Sequence, residues 1–145
     1  MPFVQLFALV LGAVYLLVGI AGFIPPLLFG GELPGVIGEP FKGLLLGLFA
    51  VNWFHSLAHL AIGAAGLAVY RSFTGSRSYA LVIGLAYAAL FLLGIFSGSV
   101  ATLGGLLPLN GFDNALHAAT ALVALVIFFA ARMPEAERGA AQPRA

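Results

Sequence analysis

The chain contains no cysteine, which removes disulfides, thiolate metal sites and a cysteine nucleophile from consideration. It also has little charge. Asp, Glu, Lys and Arg make up 8% of 145 residues, against roughly 25% in a soluble domain whose surface must be hydrated. A net charge of +1, with no basic patch interleaved with aromatics, excludes nucleic acid as a partner. No serine sits in a nucleophile elbow, no carboxylates pair within an apolar stretch, and no glycine loop has phosphate-binding form. These absences speak against an enzyme.

Apolar residues are what the chain has in excess. They make up 62% of it, and the mean hydropathy is +1.11. Composition therefore places it among polytopic membrane proteins, with the lipid bilayer as its main surroundings. The fold class expected is all-α, with four transmembrane helices.

The first apolar run is Phe3 to Ile24, closed by Pro25-Pro26. At 1.5 Å per residue it reaches about 33 Å, enough for a hydrocarbon core of about 30 Å. No Lys or Arg precedes it, so it reads as a retained helix, not a signal peptide. Leu27 to Pro40 is a loop rich in Gly and Pro. Phe41 to Val51 reads as a short helix at or dipping into the interface; a single helix continuing from Phe41 is the alternative. A second span follows from Trp53 to Tyr70, with aromatic rings at both ends where headgroups lie. Arg71 to Ser78 is a polar link, Tyr79 to Phe96 a third span, Ser97 to Leu109 a loop, and Phe112 to Arg132 the fourth span. The membrane domain is thus 1–132, and 133–145 is expected to be a disordered cytoplasmic tail.

Five of the six basic residues (Arg71, Arg77, Arg132, Arg138 and Arg144) fall on one side of these spans. The positive-inside rule puts that side, and both termini, in the cytoplasm.

The chain repeats itself. Gly12, Tyr15 and Gly22 recur as Gly84, Tyr87 and Gly94 at an offset of 72; Gly47, Leu48, Asn52 and His59 recur as Gly105, Leu106, Asn110 and His117 at an offset of 58. Two copies of one helical hairpin, about 3–70 and 79–132, are therefore related by a pseudo-two-fold axis along the membrane normal.

Each copy carries Asn-x-x-(His or Asp)-x-x-x-His, and the two copies hold all three histidines and the only aspartate. Asn52 and Asn110 are candidate helix caps, accepting from an early backbone N–H. Asp113 stands at the acid position of a capping box. His59 and His117 lie about 10 Å into their helices, where an ionisable group faces the bundle interior. Tyr15 and Tyr87 come to similar depth, so each hydroxyl is expected to hydrogen-bond an imidazole.

Three uses of this cluster compete. One is a structural polar network specifying how the hairpins dock. Another is a divalent-metal site of zinc or iron type built from His55, His59, Asp113 and His117. The third is haem b held by His59 and His117, with Gly63 and Gly66 making room. His55, close to the helix start, reads as able to reach headgroup water.

The segments VNWFHSLAHLAIGAAGL and LLPLNGFDNALHAATALVAL, with RSYALVIGLAYAALFLLGIF between them, resemble a bacterial family of small four-helix membrane proteins known as a domain of unknown function. The resemblance covers roughly residues 8 to 131. It implies a four-helix inner-membrane fold and carries no established activity, cofactor or partner. The expectation drawn from all this is a non-enzymatic membrane protein acting as a structural or accessory subunit of a larger membrane complex, or as a homo-oligomer.

Overall fold

A computed structural model describes residues 1–30 and 32–132. The tail expected from residue 133 onward lies outside the described residues. The chain is mostly helical. Helix α1 spans Phe3–Ala21, α2 Trp53–Val69, α3 Phe73–Ser97 and α4 Gly111–Ala130. Of these, α1, α3 and α4 are long and apolar enough to cross a membrane. Helix α2 has 17 residues, about 25 Å of rise, at the short end of spanning lengths.

The helices pair as two antiparallel hairpins, and glycine sets their spacing. A Cβ on Gly12 of α1 would lie 2.9 Å from the Leu67 backbone nitrogen of α2, and one on Gly66 would lie 2.7 Å from the Ala8 carbonyl of α1. The second hairpin repeats this approach, with Gly84 of α3 facing Leu125 of α4. Apolar association gains little in lipid, so such close backbone packing supplies the adhesion instead. Leu17, Leu85, Leu122 and Phe129 stay largely exposed on the outer faces.

Two expectations fail here. Residues 41–51 are not a helix, neither a short interfacial one nor an extension of α2. They form an antiparallel β-hairpin, β2 (Gly43–Leu45) with β3 (Phe49–Val51), and β1 (Leu28–Phe29) adds a third strand. Leu46 and Gly47 turn the chain with φ of 54° and 76°, a left-handed pair that a helix cannot contain. The equivalent stretch of the second copy makes the matching hairpin, β4 (Ala101–Thr102) with β5 (Leu107–Pro108). The polar link of residues 71–78 also contracts. Ser72 accepts from Gly75 N at 3.1 Å and starts α3 at Phe73, six residues before the expected Tyr79.

The two β-hairpins sit at the same end of the molecule, called here the cap end, and the loop of residues 32–42 folds over it. Ile37 N donates to Gly105 O at 3.0 Å. Gly105, with φ of +87°, lies so close to the Gly35 carbonyl that no side chain fits between them.

Candidate functional site

The site begins where α2 and α4 begin. Asn52 Oδ1 accepts from His55 N at 2.8 Å, and Asn110 Oδ1 accepts from Asp113 N at 3.0 Å. The other half of each amide reaches into the opposite repeat. Asn52 Nδ2 donates to Leu106 O at 2.8 Å, and Asn110 Nδ2 donates to Leu48 O at 2.7 Å. Leu48 and Leu106 are themselves repeat equivalents, so the exchange is reciprocal across the pseudo-two-fold. Asn52 also donates to Ile37 O at 3.0 Å.

Three residues past each cap the copies differ, and both versions grip the same residue. Asp113 Oδ2 accepts from Ala50 N at 3.0 Å and from Asn110 N at 2.9 Å, closing the capping box. His55 Nδ1 meets Ala50 O at 3.1 Å. A carbonyl only accepts, so Nδ1 carries the proton in the neutral ring. His55 does not reach headgroup water; it is 3% exposed and locks β3 to α2. The peptide of Ala50, fully buried, is thus held from both sides.

One turn deeper stand His59 and His117. The His55 and His59 rings lie 4.5 Å apart between centroids, and His55 and His117 lie 6.5 Å apart. Tyr15 packs edge-on to His59 and Tyr87 to His117, each at 5.1 Å. The two tyrosines meet each other at 5.6 Å. Ring contact replaces the expected phenol–imidazole hydrogen bonds: the Tyr15 hydroxyl pairs instead with Thr120 Oγ1 at 3.4 Å. Nδ1 of His59 and Nδ1 of His117 are buried without a partner among the described residues.

This geometry bears on the two cofactor readings. Among the described residues no group of three or more His, Asp or Glu side chains is arranged to hold a metal ion. The physical reason is that Asp113 and His55 already spend polar atoms on Ala50. The room that Gly63 and Gly66 were to give a haem is filled by the α1 backbone at Leu16, Gly12 and Ala8.

What exists is smaller. A cavity of about 190 Å³ is lined by the three imidazoles, by Tyr87, and by Phe54, Ala58, Ile62, Leu90 and Leu107. The apolar lining was not foreseen from sequence, nor were Ser56 and Asn114. These two, also repeat equivalents, bury Oγ and Oδ1 unpartnered against Gly22 and Gly94. Their common offset of 58 was the available signal.

Residues 5–130 match the family described as Domain of unknown function (DUF4383), and the chain belongs to that family. No curated protein and no solved structure matches the chain.

Proposed function

We propose that this member of the DUF4383 family is a membrane-embedded binding protein whose imidazole-lined cavity takes a small ligand. The observation that carries this reading is the pair of buried, unpartnered Nδ1 atoms on His59 and His117 beside a cavity. Each stranded buried polar atom costs about 1–3 kcal/mol. Ser56 and Asn114 bear that cost in tight packing against glycine, whereas His59 and His117 bear it beside open space. Here the caps close theirs and the imidazoles do not. The proposal is one of binding, not catalysis. The accessory-subunit reading rests on the apolar outer faces, which lipid satisfies equally well.

The setting proposed is the bacterial cytoplasmic membrane, with all four helices crossing it. Arg71, Arg77 and Arg132 lie at the end opposite the caps, while Lys42 at the cap end is paired with Glu39 at 2.8 Å. Both termini then face the cytoplasm, and the cavity opens in the outer half of the bilayer.

The test is native mass spectrometry of the protein released from its own membranes in mild detergent. The expected result is a bound small organic molecule that is lost in His59→Leu and His117→Leu while both variants stay folded. Wild-type protein carrying none, with identical spectra for the variants, contradicts the reading.

A further inference from the structure

The geometry points to a specific class of guest for this cavity: we infer that it takes the ring of a lipid-soluble monocyclic phenol, entering sideways from the bilayer between α2 and α3. The inference rests on the binding reading above and adds to it the ligand's chemistry and its route.

Size sets the first limit. A cavity of about 190 Å³ falls below the roughly 300 Å³ at which drug-sized sites begin. It slightly exceeds the roughly 150 Å³ of a dry apolar cavity known to hold benzene. One ring with a few substituents fits.

The lining sets the second. Phe54, Ala58, Ile62 and Leu90 are half-buried, whereas His55, His59, His117 and Tyr87 are buried. Apolar residues therefore form the side nearest the protein surface and polar ones the depth. Phe54, Ala58 and Ile62 follow one stripe of α2, and Leu90 faces them from α3. Neighbours such as Leu57 and Leu85 are largely exposed on the outer faces of the same helices. A molecule arriving here comes from lipid and meets imidazole last.

The repeat supplies an internal control. The equivalents of Phe54, Ala58 and Ile62 in the second copy are Phe112, Leu116 and Thr120. Ala58, which lines the cavity, is the smaller side chain of the Ala58–Leu116 pair. Thr120 gives the Tyr15 hydroxyl a partner at 3.4 Å; Ile62, at the corresponding place, offers Tyr87 no hydroxyl at all. Both departures fall at the cavity, which Ala58 and Ile62 line. A guest's hydroxyl complements the imidazoles that line the cavity and lack partners: its proton goes to a ring nitrogen.

The experiment uses the full chain in lipid nanodiscs with ¹⁵N-labelled histidine. The probes are 2,6-dimethylphenol, toluene as its hydroxyl-free counterpart, and a prenylated hydroquinone. Saturable shifts of the His59 and His117 signals with dimethylphenol, at least tenfold weaker with toluene, are expected. Tighter binding of the prenylated probe assigns the ring to a membrane lipid; equal binding assigns it to a free phenol. Ala58→Leu, which copies the second repeat, should weaken phenol binding at least tenfold, and Leu116→Ala should not. Leu90→Phe fills the cavity from the α3 side and serves if Ala58→Leu fails to fold. Wild-type binding in both filling variants overturns the lateral site, and equal binding of toluene overturns the phenol class. In either case the binding reading survives. No histidine shift with any probe, together with no ligand in the native mass spectrum, overturns both.

Discussion

The cap end and the histidine layer lie one helical turn apart and treat their polar groups in opposite ways. At the cap end, Asn52, Asn110, Asp113 and His55 make reciprocal bonds that tie each repeat to the other's loop and to Ala50. One turn below, His59 and His117 each bury a nitrogen that nothing meets. The difference separates two meanings of an intramembrane polar residue. Closed bonding at a helix end is how backbone groups escape lipid. Open bonding beside a cavity is how a protein reserves affinity for something that is not itself.

Mutations can break this comparison, and their effects should fall in a definite order. The largest belongs to neither region and sets the scale. Gly66→Val forces a side chain into the Ala8 carbonyl and Gly12 Cα, 2.7 and 2.9 Å from the new Cβ position. It should cost about 3 kcal/mol in reversible unfolding in mixed micelles, as overpacking typically does. Asn52→Leu comes next. It strands His55 N–H, Leu106 O and Ile37 O together, and about 2 kcal/mol is expected by the same assay. Tyr15→Phe removes the long hydroxyl contact to Thr120 and should cost about 0.6 kcal/mol, the average of intramembrane hydrogen bonds. His117→Leu should be the mildest, within about 0.5 kcal/mol of wild type, because no hydrogen bond at Nδ1 is lost. A cost for His117→Leu matching that of Asn52→Leu would erase the distinction between the two regions.

Much of the fold is legible in the sequence because membrane helices announce themselves by length and composition. The start of α1 at Phe3 and of α2 at Trp53 can be read directly, since an apolar run and an asparagine before it leave little choice. The β-hairpin at residues 43–51 is harder. A short apolar run has no periodicity to tell strand from buried helix. The repeat held the missing information: Thr102 to Asn110, with two glycines and a proline, cannot be helical, and its equivalent should share its form. The start of α3 is obscured by Arg77 and Ser78, which look like a link. In fact Arg77 lies over the Phe128 ring at 4.1 Å and donates to Phe128 O. At the site, spacing brings the histidines and tyrosines to one level but says nothing of which atoms pair. The Tyr15 hydroxyl had two candidate acceptors at equal depth, and Thr120 has it. Asp113 looked available as a metal ligand because its second backbone partner, Ala50 N, lies 63 residues away on a strand that the sequence hides.

The central claim is that the cap is closed and the imidazole layer is open, and the state of the histidine ring nitrogens tests it most directly. ¹⁵N NMR of histidine-labelled protein in nanodiscs, without added probe, reads each nitrogen separately. The account predicts a protonated, hydrogen-bonded Nδ1 on His55, bonded to Ala50 O, and Nδ1 atoms on His59 and His117 with no hydrogen bond to any protein group. Strong Nδ1 hydrogen bonds to protein groups on His59 and His117, equal to that of His55, would make the layer one more closed network and contradict the account.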